Sequence, residues 1–299
     1  MKVLVTGANG MLGQHLIRQL VNEGKFTIYA TGKGPSRLPY GLSNGVTYYQ
    51  IDITDFKKSQ ALIKKISPHI IIHGAAITQP NDCAADKTTC WKTNVGATRA
   101  LVKGAQKAKS YFIYLSTDFV FDGEEGPYDE SANPNPINDY GESKLLGEEI
   151  VEMSGLHWAI VRTMLVYGDK VPGARPNIVL STKEKLEAGT PFKMVNDQFR
   201  TPTYVEDVAK GVLLVLMKHA KGVFHISGKD MCTPYQMAVI IAQLLGKDEK
   251  LVEPVTAETF IEPAKRPPKT GFIITKAVRE LGFVPIKLEE GLKKVLHLT

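Results

Sequence analysis

KVLVTGANGMLG, residues 2–13, is the stretch on which the fold turns. A short apolar run ends at Gly7, and Gly10 and Gly13 follow at three-residue spacing as the helical pattern MLGQHLIRQLVNEG (11–24) begins. A strand that turns through bare backbone into a helix offers unpaired N–H groups and a positive dipole end to an anion. A pyrophosphate can approach closely only where no Cβ intervenes. G-x-x-G-x-x-G is a spacing variant of the dinucleotide fingerprint, and glycine spacing alone equally serves a tight turn with close helix packing. Set between a strand and a helix, it reads as a cofactor cradle made by Gly7, Asn9, Gly10, Met11, Leu12 and Gly13.

Outward from this point the chain alternates. Apolar runs at 2–7, 26–31, 46–52, 69–76, 111–117 and 157–163 read as strands. Helical patterns lie between most of them, at 11–24, 56–66, one long stretch over 82–107, and 141–155. Strands apolar on both faces belong in a parallel sheet covered by helices, so the fold class is α/β, a doubly wound, Rossmann-like parallel sheet. After Arg162 the rhythm breaks into candidate helices at 176–188, 204–219, 233–245, 274–281 and 288–296, separated by Pro-rich loops. GVFHISG (222–228) can return to the first sheet. The expected division is a dinucleotide-binding domain over 1–165, rejoined by 196–228, and a smaller discontinuous C-terminal domain over 166–195 and 229–299.

Where the second strand ends, an NAD site wants an acid for the ribose 2′-OH. ATGKGPSR has none. Lys33 and Arg37 are placed instead to meet a 2′-phosphate, which favours NADP(H) and leaves NADH possible; a merely solvated basic loop is the structural alternative. Asp52 and Ile53, ending the third strand, are candidates for the adenine edge and face. Ala75 and Ala76, ending the fourth, are small enough to let a cofactor lie against backbone.

The fifth strand leaves through STDFVFDG (116–123), at the end of the sheet where doubly wound folds place ligands. DYGESK (139–144) follows the helix-hostile NPNP, and Asp139 and Glu142 have capping-box spacing. Tyr140 and Lys144 then lie one turn apart on one face. A phenol with its usual pKa near 10 is protonated at neutral pH. An ammonium nearby makes it a better acid toward a carbonyl oxygen receiving hydride. Thr117 can aim its hydroxyl at that same oxygen, and Asp118 and Phe119 would border the substrate. Y-x-x-x-K is common by chance; its weight comes from the other parts.

TGANGMLG, STDFVFDG and YGESKLLGE together resemble the extended short-chain dehydrogenase/reductases, and among them the dTDP-4-dehydrorhamnose reductase family and its sugar-nucleotide-reductase relatives. The likeness continues through DQFRTPTYVEDVA (197–209) and RPPKTGFIITKAVRELGF (266–283). It implies catalytic roles for Thr117, Tyr140 and Lys144, a supporting role for Asn94, and positions near a nucleotide-sugar diphosphate for Arg200 and Arg266. The smaller domain would then hold the substrate. A structural ion pair with Asp197 or Glu206 is the other reading of Arg200. One departure touches the sugar: that family usually has a Trp after the sixth strand, where this chain reads RTMLVYG with Leu165.

The implied activity is NADPH-dependent reduction of a 4-keto nucleotide sugar. An epimerase or dehydratase, with Asp118 as the carboxylate beside Thr117, stays open. So does a non-catalytic regulatory protein, since the regulatory beta subunit of methionine adenosyltransferase resembles the same family and also lacks that Trp. The chain of 299 residues carries a formal charge of +6 without a block of five like charges, which argues against nucleic acid as a partner. No apolar run approaches a membrane span, no signal peptide is evident, and no cluster has metal-ligand spacing. A homodimer is possible. Cys83, Cys90 and Cys232 are odd in number, and the first two read as free thiols on one helix face, which points to a reducing cytoplasm.

Overall fold

Alternation along each central strand sets the two faces of the sheet. Val3 and Val5 point into one core and Leu4 into the other, and the same division recurs at Tyr111 and Ile113 against Phe112 and Tyr114. The computed structural model describes residues 1–298; Thr299, the last residue of the expected smaller domain, lies outside the described residues. Its strands are β1 (Lys2–Thr6), β2 (Thr27–Gly32), β3 (Val46–Gln50), β4 (Ile70–His73), β5 (Tyr111–Thr117) and β6 (Trp158–Thr163). Then come β7 (Val166–Tyr167), β8 (Phe192–Val195), β9 (Thr203–Tyr204), β10 (Gly222–His225) and β11 (Val252–Val255). Seven of them form one sheet in the order β3-β2-β1-β4-β5-β6-β10, parallel throughout. The reversal of strand order between β1 and β4 opens a crevice at their carboxyl ends.

The helices of the first half are α1 (Met11–Asn22), α2 (Tyr40–Ser43), α3 (Phe56–Ile66), α4 (Pro80–Ala85), α5 (Lys87–Trp91), α6 (Ala97–Ala108) and α7 (Asp139–Glu152). Those of the second half are α8 (Ile178–Ala188), α9 (Val205–Met217), α10 (Pro234–Leu244), α11 (Thr275–Leu281) and α12 (Leu288–Leu296). Helices α1, α9 and α11 cover one face of the sheet, and α3, α6 and α7 the other. A further core gathers Val179 and Leu186 of α8, Met237 and Ile241 of α10, and Leu292 and Val295 of α12. Beside it, β8 pairs with β11 and β7 with β9. No helix among the described residues is long and apolar enough to cross a membrane.

Two local expectations are corrected. The long helix expected over 82–107 is interrupted: α4 ends at Asp86, whose backbone leaves the helical region at φ −137°, and a π-helical segment, Lys92–Gly96, separates α5 from α6. Seven residues of straight helix rise about 10 Å. The break instead brings the Cα atoms of Cys83 and Cys90 to 5.0 Å, and the two are joined by a disulfide rather than left as thiols. The two cysteines therefore give no support to a reducing compartment, and Cys232 is a free, buried thiol. The second correction concerns α7. Its cap is Asn138, whose side chain accepts from the Gly141 N–H at 2.9 Å, while Asp139 sits inside the first turn and pairs with Lys87 at 2.5 Å.

Helix α7 is locked to the sheet by charge. Glu148 is buried and forms a fork with Arg162 of β6, with contacts of 3.0 and 2.6 Å, and it accepts from the hydroxyl of Ser116. Removing one partner of such a pair strands the other in an apolar interior. Glu148→Gln is therefore expected to lower unfolding free energy by about 3–5 kcal/mol, while Glu148→Leu with Arg162→Met restores most of it. Urea unfolding of the single and double variants checks this; equal losses in both would show that the ionic character is irrelevant.

Candidate active site

The crevice at the carboxyl ends of the strands is a cleft of about 1560 Å³ running from the β1–α1 turn to the second-half helices. Its entrance is built from bare backbone. Gly7 has φ +78°, and a Cβ there would stand 2.8 Å from the Gly74 carbonyl carbon and the Ala75 nitrogen. At Gly13 a Cβ would collide with the Gly7 oxygen, so α1 packs directly on the turn. Gly10 is the N-cap of α1 and supplies no side-chain cap, which leaves the first N–H groups of the helix facing the cleft. These features fit a dinucleotide pyrophosphate.

Asn9 staples the loop after β2. Its amide donates to Lys33 O at 3.3 Å, Pro35 O at 3.0 Å and the Tyr48 hydroxyl at 2.9 Å, and its oxygen accepts from the Arg37 N–H at 2.9 Å. Lys33 and Arg37 thereby both reach the cleft lining. Lys33 is exposed and stands 3.3 Å from Asp52; the Arg37 guanidinium donates to Gly173 O at 2.8 Å. Two cations at this rim suit a 2′-phosphate. Asp52 accepts from Thr54 backbone and hydroxyl, and these bonds with Lys33 hold its carboxyl below the usual range despite burial. Ile53, Ala75 and Ala76 line the same wall, with Met11 and Leu12 at the cradle.

Three consecutive residues of β5 meet one face of α7. Leu115 O accepts from the Lys144 ammonium at 2.7 Å and Ser116 donates to Glu148, while Thr117, which ends the strand near the Tyr140 phenol, donates its hydroxyl to Asp118 at 3.2 Å. This register requires close approach, and Gly147 permits it, since a Cβ there would collide with the Tyr114 hydroxyl. Burial pushes the Tyr140 phenol up to about 12; the nearby Thr117 hydroxyl lowers it and the charge of Asp118 raises it. Burial also brings Lys144 down to about 7, opposed by Glu148. Lys144 lies 4.0 Å from the Tyr114 ring centroid, turned toward the strand. Burial, and not the ammonium, thus dominates the phenol in this arrangement.

Asn94 lies in the π-helical segment and holds the neighbouring loop. It accepts from Ile77 N at 2.8 Å and donates to Ile77 O at 3.0 Å and Ser143 Oγ at 2.9 Å; Ser143 in turn donates to Tyr140 O at 2.8 Å. Beneath it, Thr98 donates to Asn94 O at 2.6 Å, so His73 Nε2 must donate to Thr98 at 3.0 Å while Nδ1 accepts from Thr6 at 2.8 Å. Burial lowers this imidazole to about 3, which keeps it neutral.

The two arginines diverge. Arg200 is buried and committed: 3.4 Å from Asp118, and donating to Phe199 O at 2.8 Å, Pro268 O at 3.3 Å and Pro267 O at 2.6 Å. Neither Asp197 nor Glu206 is its partner. Asp118 also accepts from Thr270 at 2.5 Å, and burial raises its carboxyl against the pull of Arg200. Asp118 is thus turned into the protein, while Phe119 packs edge-on to Tyr140 at 5.5 Å. Arg266 is partly exposed, pairs with Glu262 and lines the cleft. Leu165 lines it too, in a left-handed backbone conformation at φ +35°. Sequence reading missed Asn177, Lys185 and Lys193 on this wall. Asn177 caps α8 through Val179 and Leu180, and a lone Asn before a periodic run was its signal; the lysines carried none.

The whole chain, residues 1–299, matches the RmlD substrate binding domain family. It is 31% identical over 297 residues to the probable low-salt glycan biosynthesis reductase Agl14 of Haloferax volcanii, covering 98% of this chain and 96% of that protein. It is 32% identical over 272 residues to methionine adenosyltransferase 2 subunit beta of Rattus norvegicus, covering 89% and 78%. Among solved structures, dTDP-4-dehydrorhamnose reductase from Bacillus anthracis in complex with NADP superposes with a TM-score of 0.85 at 29% identity, covering 99% of this chain and 98% of that one. The family match takes in both the parallel sheet and the second-half helices, and on it the chain belongs to the RmlD substrate binding domain family.

Proposed function

We propose that this protein reduces the C4 ketone of a nucleotide-diphosphate sugar at the expense of NADPH, with dTDP-4-dehydrorhamnose, yielding dTDP-L-rhamnose, as the first substrate to test. The observation that carries the reading is the meeting of Thr117, Tyr140 and Lys144 beside a bare-backbone cradle in one cleft. NADPH, when bound, supplies the hydride. Tyr140 is held protonated by its burial and so can give its proton to the ketone oxygen. Thr117, whose hydroxyl donates to Asp118 at 3.2 Å, would turn it to that oxygen as a second donor. Lys144, one turn along α7 and held by Leu115 O, would supply a cation to the phenol and to a ribose. The division into a cofactor domain (1–165 with 196–228) and a substrate domain (166–195 with 229–299) belongs to this proposal. Arg266, Lys185 and Lys193 of the second half would face the diphosphate, and Leu165 the sugar.

A second reading, a non-catalytic NADP-binding regulatory subunit, is favoured by the 32% identity to methionine adenosyltransferase 2 subunit beta. A panel of nucleotide-bound 4-keto sugars assayed for NADPH oxidation separates the two. An inactive protein that binds NADPH tightly would favour the regulatory reading.

Tyr140→Phe removes only a hydroxyl, so NADPH binding should survive while kcat falls by about 10²–10⁴. Wild-type turnover in that variant would remove Tyr140 as the acid.

Lys33→Ala with Arg37→Ala should weaken NADPH about tenfold to a hundredfold more than NADH, the loss of a charge-assisted contact. Fluorescence titration of both cofactors measures this, and equal weakening would exclude a 2′-phosphate contact.

For the arginines the expectation is a split. Arg266→Ala should raise substrate KM severalfold with little change in melting temperature, whereas Arg200→Met, which leaves Asp118 buried without its counter-ion, should lower the melting temperature. The reverse pattern would return Arg200 to the diphosphate.

A further inference from the structure

Tyr140, Lys144 and Glu148 follow one another at four-residue spacing on α7, so all three face β5. Glu148 is placed with unusual firmness for a carboxylate. Arg162 Nε and Nη2 grip both of its oxygens, at 3.0 and 2.6 Å, and the Ser116 hydroxyl donates to one of them. The guanidinium is itself held 5.2 Å from the Phe121 ring centroid. A fixed anion one helical turn from a buried ammonium acts on that ammonium by charge, over a path with little water to screen it.

We infer that Glu148, held by Arg162 and Ser116, is a positioning residue that keeps the positive charge of Lys144 in the site. The groups around Lys144 bear this out. From β4 comes His73, which burial and the Lys144 charge keep neutral, lowered to about 3. From β5 comes Tyr114, whose phenol is raised by burial and then by Glu148, and so is neutral as well. On α7, Tyr140 is held up at about 12 by burial, and Glu152 lies one turn beyond Glu148, its carboxyl raised first by burial. Asp118, on the far side of Tyr140, is matched by Arg200. β6 contributes Arg162, spent on Glu148. Burial lowers Lys144 to about 7 and Glu148 opposes that fall. Without the carboxylate the lysine would lose its proton at still lower pH, and the site its cation.

The kinetic consequence rests on the reductase reading, but the charge itself can be read without turnover. The protein is prepared with lysines carrying ¹³C at Cε, and Lys144 is assigned by the signal missing from Lys144→Met. Its Cε shift is then titrated by NMR. The wild type should show a midpoint near 7, and Glu148→Gln a midpoint lower by about one pH unit or more. Should Glu148→Gln fold poorly, Glu148→Gln with Arg162→Met removes the stranded guanidinium and should move the midpoint in the same direction. In the assay with a keto sugar, the alkaline limb of kcat should move down in step. An unchanged Lys144 midpoint in a folded variant overturns the inference. A shifted midpoint in a protein that reduces no keto sugar upholds it and sinks the reductase reading alone.

Discussion

The seating of α7 on the carboxyl end of β5 is the constraint on which the site depends. Leu115 O engages Lys144 and Ser116 engages Glu148, with Thr117 ending the strand beside the first turn of the helix, so a strand rising about 3.3 Å per residue is matched to one face of a helix. Such a match tolerates no slip, because successive strand residues point to opposite faces. The fork between Glu148 and Arg162 makes slipping costly, and the backbone carbonyl of Leu115 accepts the lysine whatever the side chain there.

A second layer fixes the orientation of this assembly. The hydrogen bonds that run from Thr6 through His73 and Thr98 to Asn94, and on through Ser143 to the Tyr140 carbonyl, tie β1, β4 and the π-helical segment to the first turn of α7. Every donor along it finds an acceptor only with one histidine tautomer, and burial keeps the ring neutral so that tautomer persists. The Cys83–Cys90 disulfide closes the loop next to this network, with Cys90 Sγ 3.5 Å from the Asn94 amide and Tyr140 packed in the same apolar cluster.

On the substrate side, Arg200 binds the 266–270 loop to the turn after β5 through the carbonyls of Pro267 and Pro268 and through Asp118. A guanidinium in an apolar interior must find partners for its donors, and here it finds the carbonyls of Phe199, Pro267 and Pro268. Arg266, three residues from Lys269 on the same loop, keeps its side chain toward the cleft.

The amino-acid sequence by itself determined the sheet and the cradle. Six strands and the α3 helix were legible because apolar runs bounded by turn residues, and a 3.6-residue pattern over 56–66, depend only on local geometry. Gly7 and Gly13 were legible for the same reason: nothing larger fits where backbone touches backbone. Tyr140, Lys144 and Thr117 could be named because a helical turn and a strand end place them without knowledge of their neighbours. What only the tertiary structure decided was partnership. The break at Asp86 that joins two cysteines and the cap at Asn138 rather than Asp139 turn on local backbone that no periodic pattern reveals, while the carbonyls that claim Arg200 and the lysines at 185 and 193 that reach the cleft depend on segments far apart in the chain. A charged or polar group can be read from sequence as a capacity to bond, but which bond it makes is set by whichever partner the folded chain brings within about 3 Å.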